Sequence, residues 1–293
     1  MFHHHRALAY TVRVDRPNPV FARMLQQAIG GPEGEMRVMN QYLFQAWGTR
    51  GPKRYRDLLL ATGTEEMGHI ELLATAVAMN LDGMPSEKVD DVVTDPAVAA
   101  RMGGIEPRHY LTAGLGPMPS DANGVPFNAS CIDVSGNLTA NLRANVAAEA
   151  VGRTLAARLR ELTDDPGMKD LLSFLIARDT MHQEQWLAAI EELGDANQSA
   201  PNDVIDEGEH RQFAYAFFNH TDSTEAEAGR WAAGPSLDGR GEFRVMDPLA
   251  VAGGEPALVG APASAHGGRE ATRANGGGRG VMDKVKETVD RIT

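Results

Sequence analysis

One pattern, written twice, constrains this chain more than any other feature. Glu66 and His69 stand three residues apart in one long helical run, and Asp179 and His182 stand three apart in another. Each pair follows a lone acid at nearly the same distance, for Glu35 precedes His69 by 34 positions and Glu149 precedes His182 by 33. Residues three apart share a face of an α-helix, so each pair aims a carboxylate oxygen and an imidazole nitrogen at the same point. Bringing both pairs and both lone acids together requires four helices packed with these faces inward. A single Glu-x-x-His is weak, because acidic helical proteins produce it on solvated faces; two in register with two lone acids are stronger. The neighbours point the same way, since Ile70 and Leu73 follow His69 on its stripe while Trp186 and Ile190 follow His182. Carboxylates buried without partners are costly, so such a cluster implies cations that neutralise them. The bland alternative is two separate ion pairs.

Hydrophobic spacing supplies the helices. A short leading helix is predicted over 18–29, through Val20, Phe21, Met24, Leu25 and Ala28, and Gly30-Gly31 stop it. A second runs from Pro32, suited to a first turn, to Trp47, and a third over 54–81, ended by Gly83 and Pro85. The fourth covers 136–163 and the fifth runs from Pro166 to Leu193, before Gly194. Between the third and fourth, one helix over 87–102 is followed by a Gly- and Pro-rich stretch to 135. So long a loop in a compact domain is usually functional or an interface, and residues 103–135 are the candidate lid and subunit contact. Two close helix pairs joined by one distant connection make a ferritin-like four-helix bundle. The expected fold is therefore all-α, with residues 1–200 as the catalytic bundle. Beyond Ala200, residues 201–241 mix short helical signals with turns, and 253–280 are rich in Gly, Ala and Pro. Met282, Val285, Val289 and Ile292 outline a small terminal helix that docks on a neighbour. Residues 201–293 thus read as an extended, largely irregular C-terminal tail that wraps neighbouring subunits.

Charge and cysteine usage narrow the function. The 28 Lys and Arg against 40 Asp and Glu give a net charge of -12, which repels nucleic acid and anionic membranes. No apolar run approaches the ~20 residues that a membrane span needs. Cys131, the single cysteine, excludes an internal disulfide and a thiolate zinc site. The N-terminus lacks the ~7–15 apolar residues of a signal peptide, so a cytoplasmic protein is expected. His3, His4 and His5 read as a solvated segment, with a tag remnant or a surface metal site as alternatives. Carboxylate oxygens with one imidazole per ion suit manganese or iron. Tyr42, seven residues after Glu35 on the same face, is placed to bond a ligand carboxylate or to be a core tyrosine. Arg153, four after Glu149, is placed either to offset charge at the site or to lie on the surface.

Five stretches resemble the manganese catalases: Tyr10-Thr-Val-Arg-Val, Gly34-Glu-Met-Arg-Val-Met-Asn-Gln-Tyr42, Thr64-Glu-Glu-Met-Gly-His69, Met181-His-Gln-Glu-Gln-Trp186 and Arg230-Trp-Ala-Ala-Gly-Pro-Ser-Leu-Asp-Gly. The similarity covers roughly residues 1–245. It implies two manganese ions per subunit held by Glu35, Glu66, His69, Glu149 and His182, with Glu66 bridging them. It implies further that hydrogen peroxide is disproportionated to water and dioxygen, with the metals cycling between Mn(II) and Mn(III) and with Tyr42 and Asp179 handling protons. Asp179 stands where the family often has Glu. A homohexamer is also implied. Asp57, Asn219, Thr221 and Ser223 resemble a calcium site between subunits, although Ala61 stands where a second acid is expected. The rival readings are a di-iron carboxylate oxidase, which typically carries Glu-x-x-His in both halves, and a ferritin-like metal-storage bundle, whose acids would only sequester cations.

Overall fold

The carboxamide of Asn18 begins the first helix by accepting hydrogen bonds from the backbone N–H groups of Val20 and Phe21, which caps α1 (Pro19–Gly30). The computed structural model describes residues 7–82, 112–114, 116–194 and 210–247. α2 (Glu35–Gly48) starts three residues later than Pro32 suggested. A tight turn in which Gly34 donates to the Gly31 carbonyl at 3.0 Å uses up the intervening residues. α3 (Lys53–Leu81) follows as the longest helix described. α4 (Leu138–Glu161) is capped by Asn137, and α5 (Pro166–Glu192) by Asp165. The second carboxylate oxygen of Asp165 accepts from the backbone of Asp15 and Arg16 at 2.8 Å each. One side chain therefore starts a helix and anchors the segment before α1.

α2 pairs with α3 and α4 with α5, while α1 leans on α3. Two apolar clusters hold the pairs together. One gathers Phe21, Leu25, Leu72, Leu81, Leu171 and Leu172; the other gathers Tyr42, Tyr55, Leu59, Leu142, Trp186 and Ile190. Each fully buried side chain of this kind contributes about 1.5–3 kcal/mol. Along α3 the second cluster stops at Leu59 and the first begins at Leu72; along α5 the first stops at Leu175 and the second resumes at Trp186. Both gaps fall at the acid-x-x-His pairs, so the bundle carries a polar layer between two apolar ones.

The described part of the crossover is tied to the bundle by buried amides. Gln26 donates to the carbonyls of Met118 and Ser120 and accepts from the Met118 N–H. Gln41 accepts from the Asp133 N–H at 3.0 Å, and Gln45 donates to the Asp133 carbonyl at 2.9 Å. Gln45 and Asn145 exchange a reciprocal pair of bonds at 2.8 and 2.9 Å. The chain crosses so close to Gly30 that a Cβ there would lie 2.4 Å from the Ser120 nitrogen. The expected helix over 87–102 and the loop's first residues lie outside the described residues.

After the bundle come a short helix, α6 (Arg211–Ala214), and three strands, β1 (Ala216–Phe218), β2 (Gly234–Pro235) and β3 (Glu242–Met246). They form one sheet in the order β1-β3-β2, with β1 parallel and β2 antiparallel to β3. Hydrophobic spacing predicted only turns and short helices here. The strands are two to five residues long and Ala216 pairs with the distant Arg244, so no local periodicity announces them. The Gly-rich stretch 253–280, the terminal helix over 281–292 and the three N-terminal histidines lie outside the described residues. No helix of the described residues is long and apolar enough to cross a membrane.

Candidate metal centre

All four bundle helices deliver side chains to the polar layer. Glu35 is the first residue of α2, where the helix N-terminus favours a carboxylate. Glu66 and His69 sit at the middle of α3, Glu149 at the middle of α4, and Asp179 and His182 at the middle of α5. Glu66 lies between the two imidazoles, with Oε2 2.6 Å from Nδ1 of His69 and Oε1 2.7 Å from Nδ1 of His182. An oxygen of Glu35 is 4.0 Å from Nδ1 of His69, and one of Glu149 is 3.6 Å from Nδ1 of His182. The imidazole rings stack at 5.6 Å. Two triads result, Glu35–Glu66–His69 and Glu66–Glu149–His182. Within each, the donor atoms lie within 4.8 Å of one another.

The donors fit cations better than they fit each other. Both oxygens of Glu66 and all four ring nitrogens of His69 and His182 are buried without a hydrogen-bond partner. The close contacts lack hydrogen-bond geometry, and buried polar atoms without partners are rare and costly. Four of these atoms, the two Glu66 oxygens and the two Nδ1 nitrogens, face each other at the centre, and a pair of cations there would satisfy them. Oxygens with one imidazole apiece suit manganese or iron. Cys131 lies in a 3-10 turn at Ala129–Cys131, where its thiol donates to the Asn128 carbonyl.

Charge within the layer is strongly redistributed. Burial and the neighbouring charge of Glu66 push Glu149 up to about 8 and Asp179 up to about 7, and raise Glu35 well above the carboxylate range. Burial would also raise Glu66, but the two histidines outweigh it and hold Glu66 at about 2. Burial opposes the charged form of His182, yet Glu65 and Glu66 lift it to about 10. On its own, the cluster neutralises itself with protons. A divalent cation held there would take the place of those protons and oppose these shifts.

Tyr42 fills both of the roles left open for it. Its ring is fully buried, 5.0 Å from that of Trp186, and its hydroxyl donates a short hydrogen bond to Oε1 of Glu149. Asp179 borders a cavity of about 20 Å³ shared with Glu35, Glu149, Leu73, Gly152 and Ala156, which is room for about one water-sized molecule. Arg153 donates to Thr180 at 3.4 Å and lowers Asp179 slightly against the stronger effects of burial and Glu66. The arginine at the layer itself is Arg178, which grips Glu65 through Nε at 2.6 Å and Nη2 at 3.2 Å. Sequence reasoning passed over both residues. The signal was present, because each lies four positions before a histidine of the repeated pattern.

The residues singled out for calcium divide. Asn219, Thr221 and Ser223 form one turn, in which Oδ1 of Asn219 accepts from the Thr221 N–H and hydroxyl, and its amide donates to the Ser223 carbonyl. Asp57 lies in the first turns of α3, 3.9 Å from the Lys53 ammonium. Among the described residues it belongs to no cluster of metal-ligating side chains.

A four-helix bundle whose waist holds two carboxylate–imidazole sets sharing one glutamate belongs with the ferritin-like carboxylate bundles. Known proteins narrow the class. The family described as manganese containing catalase matches residues 1–275. The chain is 42% identical over 267 residues to a manganese catalase of Bacillus subtilis, covering 91% of this chain and 97% of that one. It is 46% identical over 270 residues to an uncharacterized Bacillus subtilis protein, YjqC, with the same coverage. A manganese catalase of Lactiplantibacillus plantarum is 40% identical over 78% of this chain and 85% of its own. The crystal structure of KatB, a manganese catalase from Anabaena, superimposes with a TM-score of 0.69 over 85% of this chain and 100% of that one, at 24% identity, and shows the shared fold. The chain belongs to the manganese-containing catalase family.

Proposed function

We propose that this protein disproportionates hydrogen peroxide to water and dioxygen at two manganese ions held by Glu35, Glu66, His69, Glu149 and His182. The observation that carries the ligand assignment is Glu66, wedged within 2.7 Å of both imidazoles while none of the four atoms involved is hydrogen-bonded. Glu66 would serve both ions, with Glu35 and His69 completing one set and Glu149 and His182 the other. Bound there, two manganese ions would each change by one unit between Mn(II) and Mn(III), matching the two electrons that each half of the disproportionation moves.

The chain's own side chains supply the remainder. Three carboxylates leave two divalent ions with a small positive excess, so each oxidation must be balanced by loss of protons. Asp179, which borders the adjoining cavity, is suited to accept a proton from peroxide there and return it to the departing water. Tyr42 fixes Glu149 through its hydroxyl, and its ring with Trp186 seals that side against water. The cavity admits only a small molecule, which favours peroxide over bulkier substrates.

The same reading extends to the assembly. Exposed Phe44, Trp47, Trp231 and Leu237 offer apolar area for contacts in a homohexamer, with residues 201–293 as the extension that reaches neighbours. The turn of Asn219, Thr221 and Ser223, with Asp57, is the candidate for calcium between subunits. A single thiol suits a reducing cytoplasm. Elemental analysis coupled to an oxygen-evolution assay tests the central claim. Two manganese per chain with rapid oxygen release supports it; bound iron, or metal without peroxide turnover, would return the di-iron oxidase or the storage bundle.

A further inference from the structure

Glu65 and Arg178 occupy corresponding places in the two copies of the ligand pattern. Each lies one helical turn before a histidine, Glu65 before His69 on α3 and Arg178 before His182 on α5. Were the copies alike, two acids or two arginines would face each other across the bundle. They are instead opposite in charge and locked together, with the guanidinium fork holding both carboxylate oxygens. That carboxylate also stands over the outward edges of both imidazoles. Oε2 is 3.2 Å from Nε2 of His182, and Oε1 is 3.6 Å from Nε2 of His69.

We propose that Glu65, braced by Arg178, is a shared positioning residue that orients both histidines and fixes their tautomer from behind. The inference rests on the reading of His69 and His182 as metal ligands. Both Nδ1 atoms face Glu66 at the centre, so the proton of each neutral ring must sit on Nε2 if Nδ1 is to give its lone pair to an ion. A negative carboxylate beside Nε2 favours the proton on that nitrogen, holds the ring plane and makes Nδ1 a better donor. Metal-ligating histidines often have an individual partner of this kind. Here one carboxylate serves two rings, so any displacement of it acts on both half-sites together. Arg178 has two tasks: it fixes the carboxylate in the plane of its fork, and it cancels a negative charge that would otherwise add to the crowd of Glu35, Glu66, Glu149 and Asp179.

The experiment measures manganese affinity of the full-length protein by competition with a chelator, alongside thermal melts of the metal-free forms. It compares wild type with Glu65→Gln, the double variant Glu65→Met with Arg178→Met, and Glu192→Gln. The last breaks the 2.6 Å Arg54–Glu192 pair, which links the same two helices away from the histidines. If the pair were only a strut, its replacement by apolar side chains would leave manganese binding unchanged. The clamp predicts metal-free melting within a few degrees of wild type, with manganese affinity about 10–100-fold weaker and both ions lost in one phase. Glu65→Gln should behave likewise, and Glu192→Gln should bind as wild type does. Wild-type affinity in the double variant and in Glu65→Gln overturns the clamp. If wild type itself takes up no manganese, it is the ligand reading that fails.

Discussion

Replacing Glu66 by Gln is the sharpest test of the centre, because it keeps the shape of the side chain and removes only its charge. In the metal-free protein the change should be mild. Glu66 raises Glu35, Glu149 and Asp179 by repulsion, so its neutralisation relieves that strain while the histidines lose a partner. The large effect should appear when manganese is added. A ligand at one hundred times its dissociation constant stabilises the folded state by about 2.7 kcal/mol per site, and each kcal/mol moves the melting temperature of a bundle of this size by roughly 2–4 °C. Manganese should therefore raise wild-type melting by about 5–10 °C for each ion bound. Glu66 contacts both triads, so the variant should lose the effect of both ions and not of one, together with all oxygen evolution. Differential scanning calorimetry at graded manganese, with metal content measured on the same samples, reads this directly. A Glu66→Gln protein that still gains the full shift, or that gains half of it, would refute the idea of one carboxylate serving two ions.

Three further outcomes follow from the structure. Tyr42→Phe preserves the ring against Trp186 and removes a hydrogen bond to a carboxylate, a loss of about 1.5–3 kcal/mol; manganese should remain bound while the turnover number drops, and unchanged turnover would remove Tyr42 from the mechanism. In the metal-free protein Glu149, Asp179 and His182 are raised to about 8, 7 and 10, so the folded state holds extra protons and its stability falls as pH rises from about 5 to 9. Saturating manganese should abolish that slope, and metal-free melting temperatures that stay level or climb over this range would contradict it. Gly30→Ala drives a methyl group into the backbone at Ser120, which should cost about 1–3 kcal/mol and speed amide exchange at residues 118–127, as hydrogen-exchange mass spectrometry would show.

The helices and the inward-facing donors were legible because both obey short-range rules. Periodicity placed all five long or leading helices within a few residues, and the three-residue spacing put Glu66 with His69 and Asp179 with His182 on shared faces. What escaped obeys longer-range rules. Gln26, Gln41 and Gln45 look like ordinary helix polar residues, and only the crossover packed against them reveals that they bind its backbone. Glu65 and Arg178 are 113 positions apart, so their pairing depends on how two helices rotate against each other. Arg153 drew attention because it is near Glu149 in sequence, yet its guanidinium turns toward Thr180. The sheet of β1, β2 and β3 went unseen because its strands are too short for alternation to register.

The small cavity beside Asp179 shows how a duplicated framework acquires a front and a back. Seven residues after Glu35 stands Tyr42, and four after His182 stands Trp186, whose rings fill one flank. The matching positions after Glu149 and His69 are Ala156 and Leu73, and both line the hollow. The repeat is kept in the donors and abandoned in the stuffing around them. The two donor triads thus share one hollow, which borders both from a single side.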